Sequence, residues 1–227
     1  FISKGIIFFS QIHKINFVRN LFVIIVIFDI CNIILQYILV KIYSNNVLEF
    51  VGMKFTKKSL KQLLVGIVIG TLMISIWVLS LRLNKIAEFK GTSSIYYNYI
   101  IISFFVTIIV GVVEEITFRG IILNQLMQFK GEVFAIIISS ILFGLPHFQY
   151  YGAPIMLCST IIFAAVTGGL YIITKSLYLS IGLHSAIDFS FFAAGEIFTL
   201  NKTVSNVKFE SYLGFMQIAV LLPILIF

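Results

Sequence analysis

The chain has 227 residues, of which 60% are hydrophobic and only 11% charged, and its mean hydropathy is +1.09. Soluble domains carry about 25% charged residues, so 16 basic and 9 acidic side chains cannot coat a water-exposed globule. That excludes an ordinary soluble protein and a disordered chain, and it assigns the net charge of +7 to loops at membrane surfaces, with no nucleic-acid partner.

Residues 1–19 place Lys4, Lys14 and Arg19 among aromatics and isoleucines. They read as an interfacial amphipathic helix or the remnant of an earlier span. Apolar runs of about 17–25 residues can cross a bilayer as helices. Seven such runs follow, at roughly 20–42, 62–82, 97–127, 133–148, 153–174, 177–195 and 211–227. Lipid-facing barrel strands alternate polar and apolar residues, and these runs are apolar throughout. The expected fold is all-α, a polytopic membrane helical bundle of about seven transmembrane helices, with membrane lipids as partners.

The basic loop 43–61 carries Lys54, Lys57, Lys58 and Lys61 and reads as an interfacial anchor, with anionic-lipid binding as a sharper alternative. Basic residues divide eight and eight between the two sides of the seven spans, so their asymmetry leaves the orientation open. The first apolar stretch is too long for a signal peptide and lacks a small-residue cleavage site. Cys31 and Cys158 lie far apart in apolar sequence, which argues against a disulfide framework or a cysteine metal site. The chain holds 42 Ile and 9 Ala, a bias that fits an AT-rich genome and a bacterial cell membrane.

A charge at mid-membrane costs about 2.5–3.5 kcal/mol on insertion scales, so polar residues inside the spans are informative. The third span contains Glu114, Glu115 and Arg119. On an α-helix Glu115 and Arg119 share a face at i,i+4, while Glu114 points about 100° away and keeps no local partner. Such a glutamate suits a general base or acid, and an ion-paired structural cluster is the plainer alternative. The fourth span ends in Phe143-Gly144-Leu145-Pro146-His147, where a histidine bonded to backbone is the plainer reading. The sixth holds His184 and Asp188, again one turn apart. A carboxylate there can orient an imidazole facing a metal or an oxyanion, or the two can simply bridge helices.

Helix rise matches these depths. Glu114 precedes Lys130, and His147 follows Gly131, by 16 residues each, which is about 24 Å from one turn. His184 and Asp188 lie about 14 and 20 Å from Lys175 on the same side. Tilt closes such gaps, so the three clusters can meet in one intramembrane pocket.

Together the motifs resemble the CPBP family of intramembrane proteases, which includes CAAX-processing and bacteriocin-processing enzymes and is also called Abi. The family pattern of EExxxR, FxxxH and HxxxN or HxxxD reads here as Glu114-Glu115-xxx-Arg119, Phe143-xxx-His147 and His184-xxx-Asp188. Phe118-Arg119-Gly120 matches the family's FRG. The motifs span 111–189, about a third of the chain, and depart from the commoner pattern at Asp188, where Asn is usual.

The resemblance implies a membrane-embedded peptidase, CAAX prenyl protease-like and of metalloendopeptidase type. Its catalytic residues would be Glu114, Glu115, Arg119, His147, His184 and Asp188. Glu114 would activate water, His147 would hold that water directly or through a metal, and His184, oriented by Asp188, would stabilise the oxyanion. Glu115 and Arg119 would form the supporting ion pair, and Pro146 and Gly182 would open the packing to water. A zinc ion on Glu114, His147 and His184 is the expected cofactor, with a metal-free glutamate mechanism as the alternative. The substrate would be a peptide or protein, either a peptide precursor or a lipid-modified tail.

The implied organisation is an N-terminal transmembrane region over 1–95, a catalytic helical core over 96–195 and a C-terminal transmembrane helix over 196–227. Two other functions remain open on sequence. One is a non-catalytic membrane scaffold of the same fold. The other is a proton-coupled transporter in which Asp29 and Asn32 join the pathway. For those two residues the plainer reading is an interhelical hydrogen bond.

Overall fold

A computed structural model describes residues 15–89, 91, 97–147, 154–200 and 214–221. In chain order the elements are α1 (Ile15–Tyr43), the short α2 (Val47–Phe50), α3 (Lys57–Leu83), β1 (Ala87–Phe89), α4 (Tyr97–Glu115), a π-helical segment (Ile116–Leu123), α5 (Asn124–Gly144), α6 (Pro154–Thr174), α7 (Tyr178–Ile197) and β2 (Phe198–Leu200). Residues 214–221 form a further helix, α8. The fold is all-α. The expected interfacial segment lies outside the described residues as far as 14, and of the last expected span only 214–221 are described.

Four of the described helical stretches are long and apolar enough to cross a membrane: Val23–Tyr43, Lys57–Leu83, Tyr97–Gly144 and Pro154–Thr174. The third, of 48 residues, would run about 70 Å if straight, against a hydrocarbon core of about 30 Å. It does not run straight. Lys130 (φ −141°, ψ 18°) and Gly131 (φ 79°, ψ −178°) leave helical geometry, and α5 folds back onto the π-helical segment and α6. Only glycine readily takes Gly131's conformation, so the turn expected at Lys130 and Gly131 is set by backbone freedom.

α7 is not among the four, because His184, Asp188 and its small residues lower its hydropathy. It is instead wrapped by protein. Every residue from Ser180 to Ile187 is buried, and α3 and α4 are its main neighbours. The α3–α7 contact depends on glycine. A Cβ added at Gly66 would strike the Leu179 carbonyl, and one at Gly182 would strike the Leu63 carbonyl. Small residues let membrane helices approach backbone to backbone. Gly182 therefore closes the packing, contrary to the expectation that it would open it to water.

α3 starts in a capping box, where Thr56 and Ser59 bond reciprocally to each other's backbone N–H. This satisfies donors that a helix end leaves unpaired. A two-stranded antiparallel ribbon, absent from the sequence expectation, pairs Ala87, Glu88 and Phe89 with Leu200, Thr199 and Phe198. It ties the end of α3 to the end of α7.

Candidate active site

The site is assembled from α7 and three elements packed around it, with His147 in the turn that follows α5. α4 supplies Glu114 and Glu115, the π-helical segment Arg119, and α7 His184 and Asp188.

Glu115 and Arg119 are buried together, with side chains 0% and 2% exposed and Oε1 to Nη1 at 3.1 Å. The same Glu115 Oε1 lies 2.9 Å from His184 Nδ1. A carboxylate oxygen can only accept here, so Nδ1 donates and the ring orientation is set. Sequence spacing assigns that orienting part to Asp188. In the structure Asp188 Oδ2 is instead 3.6 Å from Nε2, on the other side of the ring. Glu114 Oε2 also faces Nε2, at 3.7 Å. His184 thus has one nitrogen committed to Glu115 and the other presented between Glu114 and Asp188.

Arg119 is held from its far side. Its Nη2 donates to Thr167 Oγ1 and, at 3.3 Å, to the Ala164 carbonyl. Its guanidinium lies 4.5 Å from the centre of the Phe143 ring. Cation–π contacts strengthen when desolvated, and Phe143 is buried. The Phe143 ring also stands 4.9 Å from the His147 ring and 5.9 Å from the His184 ring. The phenylalanine of FxxxH is therefore the apolar centre about which the charged groups are arranged.

His147 follows the end of α5, where Pro146 cannot donate into a helix. Its Nδ1 donates to the Phe143 carbonyl at 2.8 Å. His147 shares the wall of a cavity of about 110 Å³ with His184 and Asp188; Met73, Trp77, Phe163 and Phe191 are among the apolar residues that complete it. That volume admits several waters. Glu114 reaches the site from α4 with its side chain 31% exposed. The structure thus brings Glu114, Glu115, Arg119, His184 and Asp188 into direct proximity, and joins His147 to them across the cavity.

Among the described residues, no three of His, Cys, Asp and Glu are grouped so as to hold a metal ion. The trio expected to bind zinc, Glu114, His147 and His184, does not converge into such a set. The donor chemistry of His184 alone would suit a metal, because its Nδ1 is backed by a carboxylate.

Sequence reasoning missed several contributors. Thr167 carries no signal, since its hydroxyl bonds the Phe163 carbonyl at 3.1 Å as a threonine in any helix can. The i,i+4 spacing of Glu115 and Arg119 predicts α-helix where the structure has an eight-residue π-helical segment. Asp29 does not make the interhelical bond expected of it: its Oδ2 is buried with no partner among the described residues. Gln36, two turns on, makes that bond instead, donating to Thr117 Oγ1 at 2.5 Å.

Residues 96–190 match the family model described as Rce1-like, type II CAAX prenyl endopeptidase Rce1-like. The segment is Rce1-like. The match takes in Glu114 through Asp188, every residue of the three motifs, and less than half of the chain. No curated protein and no solved structure matches the chain. The Rce1-like match over 96–190 and the four apolar helices together support an integral membrane protein. The three motifs of the Rce1-like segment thus come together at α7 and the three elements packed around it.

Proposed function

We propose that the chain is an intramembrane endopeptidase with 96–195 as its catalytic core. In this reading Glu114 acts as general base on a water molecule. Glu114 takes a proton from water while the oxygen attacks the scissile carbonyl carbon. The resulting oxyanion is met by His184 Nε2–H, the ring acting as an imidazolium because its Nδ1–H is already given to Glu115, while His147, whose Nδ1–H goes to the Phe143 carbonyl, accepts from the water through its bare Nε2. Glu114 then returns the proton to the departing amine as the C–N bond breaks. Asp188 holds the cavity side of His184, and Glu115 with Arg119 fixes its other side. The single observation that carries the reading is that His184 Nε2 stands 3.7 Å from Glu114 while its Nδ1 is committed to Glu115.

No step in this scheme runs through zinc, because Glu114, His147 and His184 do not converge as three ligands. The Rce1-like match makes a CAAX-type tail one candidate substrate, and a leader or other precursor peptide another. A bacterial membrane, which the composition suggests, favours the precursor. Seven spans and contact with lipids complete the reading: α5 and the α7 wrapped by protein would add to the four apolar stretches, with the last run over 211–227.

The test is cleavage of quenched-fluorescent peptides by the purified protein in detergent or liposomes, wild type against Glu114→Ala. Cleavage that depends on Glu114 supports the reading. Cleavage that survives the substitution overturns the mechanism, and absence of cleavage over a broad peptide set returns the chain to a scaffold.

A further inference from the structure

The cavity contains a polar side chain that the three motifs do not include. Apart from His147, His184 and Asp188, its polar lining consists of Thr160 and Gln217. Thr160 gives its hydroxyl proton to the Met156 carbonyl at 3.0 Å. Gln217 comes from α8, beyond the Rce1-like segment. Its Oε1 lies 3.0 Å from Ser159 Oγ, which is itself 2.8 Å from the Met156 carbonyl. Ser159 is fully buried and has one proton. If it donates to Gln217, the amide oxygen is occupied. If it donates to Met156, the amide turns over and its nitrogen donates to Ser159. Either way one end of the Gln217 amide is tied to the serine, and among the described residues nothing pairs with the other end.

A peptide opened for cleavage inside a membrane exposes N–H and C=O groups that water does not reach, and each is costly to leave unpaired. A primary amide offers both a donor and an acceptor, which is the complement of a peptide unit. Around it the wall is apolar and deformable, built from Met73, Trp77, Phe191 and Met216. Methionine adapts to varied shapes. We propose that Gln217 anchors the main chain of the substrate, pairing with one of its peptide units while this wall receives an apolar side chain. The proposal rests on the peptidase reading and names the part of the substrate that the site would grip.

The test separates binding from cleavage. Trp77 is the one tryptophan in the chain and it lines the cavity, so its emission reports occupancy. An apolar-centred peptide is titrated into Glu114→Gln protein, with and without Gln217→Leu. Loss of one hydrogen bond weakens binding by roughly 5–30-fold. In the cleaving enzyme the same substitution raises KM by a similar factor and leaves kcat within about twofold. A peptide with one ester in place of the gripped amide binds the Gln217 protein more weakly, and the leucine variant shows no further loss. Ser159→Ala, which frees the amide without removing it, gives a smaller loss and serves if Gln217→Leu does not fold. Unchanged affinity on Gln217→Leu, or equal ester penalties in both proteins, overturns the anchor. Gln217-dependent binding without cleavage keeps the anchor and overturns the peptidase reading.

Discussion

Glu115 and His184, 69 positions apart in the chain, meet at 2.9 Å between Oε1 and Nδ1. This contact divides the labour between two adjacent glutamates. Glu115 is sealed inside the protein between an arginine and an imidazole. Glu114, the next residue, keeps its side chain 31% exposed and stands across from the other imidazole nitrogen. In the proposed mechanism one residue holds the histidine and the other reacts.

The two glutamates should therefore fail differently when replaced. Glu115→Gln leaves the buried Arg119 without its counter-ion, and breaking a buried pair from one side costs about 3–5 kcal/mol. Glu114→Gln breaks no comparably buried pair, so its cost in stability should stay within about 1 kcal/mol. Its cost in activity should be about 10²–10⁴-fold, the usual contribution of a general base. Thermal unfolding in detergent, followed by Trp77 emission, alongside peptide cleavage separates the two effects. If Glu114→Gln destabilises as much as Glu115→Gln, this division of roles fails.

Thr167 should behave as a positioning residue. It holds Arg119 Nη2 from the side opposite Glu115, so a loosened Arg119 passes through Glu115 to His184. Thr167→Val preserves the shape and removes the acceptor, at about 1–3 kcal/mol for an unsatisfied buried donor. We expect kcat to fall with little change in KM, and Thr167→Ser to restore most of it. A loss confined to thermal stability would leave Thr167 a packing residue.

The motif residues were legible in the sequence for a simple physical reason: a charge in an apolar run is costly, so its presence demands an explanation. Helix rise alone puts Glu114 and His147 at one depth, and helix tilt is needed to bring His184 level with them. What stayed illegible depends on tertiary direction. Whether Glu115 or Asp188 takes His184 Nδ1 depends on how α4 packs against α7, and both spacings allow it. Thr167 and Gln217 carry no charge, so nothing distinguishes them from other polar residues in apolar spans. The π-helical turn over Ile116–Leu123 leaves no compositional trace. Gly182 marks a close approach, but only the partner backbone at Leu63 reveals whether glycine there opens or closes the packing.

Metal dependence follows from the same geometry. Because Glu114, His147 and His184 are not grouped as a ligand set among the described residues, a strong chelator should leave peptide cleavage within about twofold, whereas stripping a metal that activates the water would abolish it. The measurement is cleavage rate against chelator, followed by zinc addition. Loss of activity that zinc restores would mean that the three side chains converge on a metal in the working enzyme, and the water-activation scheme would have to be rebuilt around it.

Two glycines give the last prediction, because they are demanded for different reasons. Gly131 has φ 79° and ψ −178°, and a Cβ there would meet nothing within 4 Å. Gly131→Ala therefore carries only the backbone cost of a sparsely populated region, about 1–3 kcal/mol, at a turn far from the cavity. Cleavage should persist with KM unchanged and the unfolding temperature lowered. Gly182 has helical geometry within α7, and alanine would suit it on propensity. Its Cβ, however, would run into the Leu63 carbonyl and the Ile67 backbone nitrogen, which cannot move without shifting α3. Gly182→Ala should push α3 away from α7 two residues before His184 and displace Trp77 and Met73 from the cavity wall. Activity should drop together with a change in Trp77 emission. If both alanine variants lose stability alike and leave Trp77 emission unchanged, the tight α3–α7 approach does not shape the site.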